Sequence, residues 1–192
     1  VVEHLAAAHG VTEVHLPGVL GVGVAERCRA AAFGHHGVRL AEQRFGHHRD
    51  AQATFACLDH RAQTCTAGTR LLVEDTIFDE FTAGVAAHAA GLRIGPGLDP
   101  TNDIGPLVSR EQLTKVTGYL NAGLEQGARA LAGGGRHGDT GFYVEPTLLV
   151  DVRDDSSVYR EEIFGPVAVA VPFNRERGVG AASVIGQAND TV

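Results

Sequence analysis

Cys65 stands in the run Gln63-Thr64-Cys65-Thr66-Ala67-Gly68, between two threonines and ahead of an alanine and a glycine. Small neighbours let a carbonyl compound approach a thiol closely. Consecutive backbone N–H groups at such a place can stabilise the oxyanion that forms when a thiolate adds to it. That is the chemistry of a covalent nucleophile. The other reading is a buried cysteine that packs as a small hydrophobe, the commoner fate of a free thiol. Cys28 and Cys57 lie among alanines in stretches that read as helical, and for these two packing is the preferred reading. The three cysteines have no metal-ligand spacing and cannot all pair with one another. A reducing cytoplasm is therefore expected rather than a disulfide framework.

Histidines form the other conspicuous group, with His35-His36, His47-His48 and His60 close together. Side chains of adjacent residues diverge, and neither a cysteine nor a carboxylate completes a ligand set at the usual spacing, so a solvated loop without metal is expected.

A nucleophile at residue 65 needs a rigid support. Thr69 to Val73 reads as a buried strand, and Thr76-Ile77-Phe78-Asp79 as a capping box that opens a helix. Ile77, Phe81 and Val85 recur every four residues along it, with Phe78 and Leu92 near the same face. Gly91 to Pro106 is a turn-rich connection, broken by Gly95-Pro96-Gly97 and Asp99-Pro100. A second capping signature, Ser109-Arg110-Glu111-Gln112, opens a helix whose apolar face is Leu113, Val116, Leu120 and Leu124. Ala128 to Leu131 and Val167 to Val171 read as strands. Phe142 to Val150 reads as an extended segment interrupted by Pro146, and Arg177 to Ala188 as a last helix.

Upstream, Val11 to Leu16 reads as a strand, Pro17 to Gly23 as a turn, Val24 to Phe33 as a helix and Val38 to Ala41 as the next strand. These resemble βα units of a nucleotide-binding type. Between Gly34 and His60 only that strand is assigned. Strands alternating with helices predict an α/β layered sheet.

Composition limits the function classes. The chain has 192 residues, of which 44% are hydrophobic and 20% charged, enough for one large domain or one domain with a piece of another. A net charge of -7 gives no electrostatic reason to expect nucleic acid or an anionic membrane as partner. No apolar run approaches the roughly 20 residues that span a bilayer. No secretory signal is visible at the N-terminus. The sequence contains no methionine, and truncation at both ends is the expectation.

The segments around Cys65, taken together, resemble the aldehyde dehydrogenase family. The run from Gln63 to Gly68, followed by Thr69-Arg70-Leu71-Leu72-Val73, is similar to the family's active-site segment. Phe78-Asp79-Glu80-Phe81 leads into a helix, and Asp103-Ile104-Gly105-Pro106-Leu107 resembles the family's D-I-G-P-L connection. Gly141-Phe142-Tyr143-Val144-Glu145-Pro146-Thr147 is similar to its G-Y-F-V-E-P-T segment. Glu161-Glu162-Ile163-Phe164-Gly165-Pro166 matches its E-E-I-F-G-P signature, and Ala188-Asn189-Asp190-Thr191 its A-N-D-T. The resemblance runs from about Phe55 to Val192 in one register.

The resemblance implies an NAD(P)-dependent oxidation of an aldehyde to a carboxylic acid, through a thiohemiacetal and then a thioester on Cys65 as catalytic cysteine. Glu162 would hydrogen-bond the nicotinamide-side ribose and Phe164 would pack against that end of the cofactor, NAD or NADP. Their plainer readings are a solvated helix-end charge and core packing. Gln112 and Lys115, the only lysine, fall where the family contacts the adenosine half. Gln112 is equally the N3 member of its capping box.

Other parts depart from the family. Glu42 is the nearest candidate for the general base, but it lies 23 positions before Cys65 (65 minus 42), closer than the family's spacing. Gly18-Val19-Leu20-Gly21-Val22-Gly23 resembles the cofactor turn, with Gly18 and Gly23 in place and Val19 where a serine belongs. Residues 1–48 are accordingly expected to be the remnant of a Rossmann-like dinucleotide-binding domain, and 49–192 the catalytic domain. The expected partner is a small-molecule aldehyde; for the full-length family a homo-oligomer is implied. The alternative is a non-catalytic aldehyde dehydrogenase-like domain, or a fragment, that acts by binding or assembly.

Overall fold

The computed structural model describes residues 11–14, 22–25, 28–34, 37–42, 53–54, 57–64 and 67–173, the strands up to residue 42 by their backbone. β1 (Val11–Val14) and β2 (Val22–Ala25) form a separate antiparallel pair. The other strands are β3 (Cys28–Gly34), β4 (Gly37–Glu42), β5 (Arg70–Glu74), β6 (Arg129–Ala132), β7 (Thr147–Val150) and β8 (Val167–Phe173). They make one six-stranded sheet in the order β4-β3-β5-β8-β7-β6. Its centre, β5-β8-β7, is parallel, and both margins are antiparallel.

Parallel central strands are covered on both faces and so read as unbroken apolar runs. Leu71, Leu72 and Val73, all of β7, and Val167 to Ala170 are indeed buried. Alternate residues of these strands serve opposite layers. Leu71, Val73, Leu148, Val150, Ala168 and Ala170 pack with Cys57, Leu58 and α1 (Phe78–Ala90), which contributes Phe81, Val85 and Ala89. Leu149, Val167 and Val169 face the other way, against α2 (Arg110–Glu125) and α3 (Ser157–Arg160). The α/β layered sheet with flanking helices is therefore present.

α2 starts where the sequence places it. Ser109 is extended, and its hydroxyl oxygen accepts a hydrogen bond from the Gln112 N–H at 3.2 Å. Ser109→Ala is expected to lower stability by about 1 kcal/mol, read as a lower urea midpoint at unchanged slope; an unmoved midpoint would show that the cap contributes nothing. Leu113, Val116 and Leu120 are buried as predicted, but Leu124 is 38% exposed. Gly123 faces the core instead, because a Cβ there would stand 2.8 Å from Val158 Cγ1.

The start of α1 differs from the sequence reading. A 3₁₀ turn over Asp75–Ile77 comes first, and the N-cap of α1 is Ile77 without a side-chain cap, so Thr76 does not play the N-cap part in a capping box.

Upstream the differences are larger. Val24 to Phe33, expected as a helix, is divided between β2 and β3. Alanine favours helices in isolation, yet β3 hydrogen-bonds to a strand on each side, and tertiary pairing overrides that preference. The β3–β4 pairing runs from Cys28 opposite Glu42 to Gly34 opposite Gly37. The described residues here therefore form antiparallel strands, not βα units, and β3 and β4 extend the sheet that contains β5. Cys28, read as helical, opens β3. The predicted helix from Arg177 to Ala188 lies outside the described residues.

Candidate active site

The N-terminal end of β5 carries the site. Cys65 lies outside the described residues, but both its flanks are defined. The Ala67 N–H donates to the Thr64 carbonyl at 3.0 Å, and the Thr69 N–H to the Ala67 carbonyl at 3.0 Å. Thr69 then joins the sheet, its carbonyl accepting from the Val169 N–H at 2.8 Å. Behind this segment the Cys57 thiol, fully buried, donates to the Gly68 carbonyl at 2.8 Å. Burial pushes that thiol up to about 12, so Cys57 is no nucleophile at ordinary pH.

Ahead of it, His60, Arg61 and Ala62 are successive non-glycine residues at φ 50, 61 and 51. Left-handed backbone at such residues persists only where the surroundings hold it. Arg61 Nη1 donates to the Pro106 carbonyl at 3.3 Å, and Gln63 Oε1 accepts from the Val108 N–H at 3.1 Å. The connection they grip is itself braced by Arg93, whose backbone N–H and guanidinium bind both carboxylate oxygens of Asp103. Gln63 Nε2 is buried and has no hydrogen-bond partner among the described residues.

Opposite lies the segment that follows α3. Glu162 and Phe164, both half-buried, line one small hollow with Ala62, Thr64, Ala67, Thr69 and Arg70. The fold thus brings Glu162 and Phe164 to the residues that flank Cys65, from positions about a hundred residues away in sequence. Phe164 has φ 57, a conformation that costs of order 1–3 kcal/mol for such a residue.

Gln112, at the start of α2, has its amide nitrogen on the carbonyls of Ile163 at 3.0 Å and Phe164 at 2.8 Å. An amide NH₂ has two hydrogens, and both are engaged here. Its backbone N–H meanwhile is the group that Ser109 caps, while its side chain is spent on the loop carbonyls rather than on the N-cap. Lys115 is exposed, its Nζ 5.8 Å from the centre of the Tyr119 ring.

Other expected site residues are not brought to the hollow. Glu42 pairs with Cys28 at the end of β4, while Val38, paired through Phe33, is level with Arg70. Four residues of strand separate those levels, about 13 Å along the sheet. The structure therefore places Glu42 at the opposite end of the sheet from the hollow, a correction to its expected place beside Cys65. The reason is register: β4 runs antiparallel to β3, so its later residues lead away from the N-terminal end of β5. Gly23 lies within β2, opposite Glu13, rather than in a turn; Gly18 is outside the described residues.

Arg70, the first residue of β5, has a role that its sequence motif does not mark. Its Nε donates to the Tyr159 carbonyl at 2.5 Å and its Nη2 to the Glu161 carbonyl at 3.2 Å. Burial pulls the guanidinium below its ordinary value, against the opposing influence of Tyr159 and Glu162. A charge at the start of a strand whose next three residues are apolar was the available signal. Tyr119 also went unnoticed. Its hydroxyl donates to Glu161 Oε2 at 2.5 Å, and burial, then that carboxylate, raise it to about 12. Among the described residues there is no His, Cys, Asp or Glu group able to hold a metal, and no helix long and apolar enough to cross a membrane.

Comparison with known proteins places this geometry. Residues 49–192 match the family model described as "Aldehyde dehydrogenase family". The human protein "Aldehyde dehydrogenase, mitochondrial" is 37% identical over 140 residues, 73% of this chain and 26% of its own length. Betaine aldehyde dehydrogenase of Bacillus subtilis is 39% identical over 145 residues, 73% of this chain and 29% of its length. Among solved structures, an NAD+ complex of aldehyde dehydrogenase from Bacillus cereus superposes with a TM-score of 0.68 at 33% identity. It covers 74% of this chain and 28% of its own. An NADP-dependent enzyme of E. coli gives 0.67 at 37% identity, with 74% and 28% covered. The chain thus spans between a quarter and a third of the length of these relatives.

Proposed function

The chain belongs to the aldehyde dehydrogenase family, and on that premise we propose that it carries the nucleophile and the nicotinamide-end contacts for oxidising an aldehyde to a carboxylic acid with NAD or NADP. The observation that supports this most is the hollow that joins the flanks of Cys65 to Glu162 and Phe164. Cys65, as thiolate, adds to the aldehyde carbon; the sulfur–carbon bond forms and the oxygen takes the negative charge, stabilised by backbone N–H at Cys65.

Glu162 and Phe164 fit the nicotinamide end of the cofactor. A half-buried carboxylate accepts hydrogen bonds from ribose hydroxyls, and an aromatic face covers a ring. When bound, NAD(P) supplies the acceptor for the hydride that leaves the substrate carbon. The thioester left on Cys65 is released as carboxylic acid by water. Glu42, where the strand register puts it, is not assigned to that step. Lys115 is an exposed cation on α2 available to the adenosine half.

Labelling of each cysteine with a thiol reagent from about pH 5 to 10, read by mass, tests the reading. Cys65 is expected to react selectively, with an apparent pKa well below about 8.5, while Cys57 stays silent in the folded protein. A Cys65 that is inert, or that labels as an ordinary exposed thiol, would instead favour a non-catalytic domain of this family.

A further inference from the structure

The segment that carries Glu162 and Phe164 has little backbone structure of its own, yet its carbonyls are satisfied by side chains from two directions. From β5, Arg70 donates to the carbonyls of Tyr159 and Glu161. From α2, Gln112 donates to those of Ile163 and Phe164. One turn further along α2, Val116 is so close to Gly165 that a Cβ on the glycine would stand 2.5 Å from its Cγ2. Beyond that, Tyr119 holds the Glu161 carboxylate. Positions 112, 116 and 119 share one stripe of the helix. Phe164, in the middle, keeps a left-handed backbone that a bulky residue does not adopt unaided.

We infer that Arg70 and Gln112 are positioning residues: together they clamp the Tyr159–Phe164 backbone and hold the Glu162 carboxylate and the Phe164 ring toward the cysteine segment. The inference rests on the functional reading of that hollow but assigns a part that reading does not contain. Gln112 acts through Phe164, its two amide hydrogens already spent on carbonyls. Arg70, five residues after Cys65, ties the nucleophile's own strand to the same loop.

The test is hydrogen exchange of the full chain, combined with kinetics, in Gln112→Met and Gln112→Glu. Methionine keeps length and approximate volume but donates nothing. Amides between residues 161 and 165 are expected to exchange about tenfold faster, with peptides of α1 and β7 unchanged as the folding control. The KM for NAD(P) should rise about tenfold, while cleavage of an activated ester at Cys65, which needs no cofactor, stays within about twofold. Gln112→Glu adds a pH signature. An ionised carboxylate repels both carbonyls, so loop protection should be weak near pH 8 and partly restored below about pH 5, where the carboxyl has a proton to donate.

Unchanged loop exchange, or a cofactor KM that does not move when exchange does, overturns the clamp. If the parent chain oxidises no aldehyde, the functional reading fails separately, and the exchange of the loop still decides whether the clamp exists.

Discussion

Cys65→Ser is expected to remove aldehyde oxidation and ester cleavage together, by on the order of 10³-fold or more. A hydroxyl at this place needs a base to become a nucleophile, whereas a thiol needs only a modest fall in its pKa. Among the described residues lining the hollow, the ionisable ones are Arg70 and Glu162, and Arg70 is a cation engaged with two carbonyls. A thiolate can draw on that cation, whereas a serine hydroxyl, far less acidic than a thiol, stays protonated. Fold and stability should be unaffected, since serine is smaller than cysteine by little. Cys57→Ser, by contrast, should retain oxidation. Formation of reduced cofactor and hydrolysis of an activated ester are the two assays. Activity surviving in Cys65→Ser at more than a few per cent of the parent rate would end the nucleophile assignment, whatever the likeness to relatives.

The second large effect is on stability in alkali. The Cys57 thiol is held up to about 12 from its ordinary 9.0 by burial. Above pH 9 the unfolded chain gives up this proton while the folded chain keeps it. The contribution is therefore intact below about pH 9 and is lost as pH rises toward 12. Three powers of ten in proton affinity correspond to about 4 kcal/mol over that window. Tyr119 and Tyr159 are also raised by burial, so the whole protein loses stability there for more than one reason. Comparison with Cys57→Ala separates them. The variant should be less stable at neutral pH, through lost packing and the missing bond to Gly68, yet show a shallower decline between pH 9 and 12. Parallel declines in the two proteins would mean that Cys57 ionises freely and is not enclosed.

Those two cysteines illustrate what was legible. The distinction between Cys65 and Cys57 came from neighbours, and the burial of Cys57 agrees with its packing reading. β5, β7 and β8 were legible because strands covered on both faces are unbroken apolar runs, and α2 because Ser109 and Gln112 are spaced for a cap. The meeting of residues 62–70 with 162–164 followed from family likeness; local periodicity contains no such long-range information. Alanine-rich β3 was misread because its state is decided by partners on either side. Leu124 was misread because a glycine one position earlier packs more tightly on Val158. The parts of Arg70 and Gln112 were hidden because they act on backbone carbonyls, groups that every residue has and no sequence pattern marks.

The parallel centre of the sheet has a consequence in time as well as in space. β5 pairs with β8 from Arg70 opposite Val169 onward, so the Glu162 and Phe164 wall of the hollow is made late in synthesis. As the chain leaves the ribosome, the cysteine segment emerges with its strand, but it has no Glu162 or Phe164 to face until nearly a hundred further residues have followed. Closing so long a loop is slow relative to hairpin formation. During that interval Cys65 is expected to behave as an ordinary thiol, and a nascent chain halted before β8 should react with thiol reagents at the rate of any exposed cysteine.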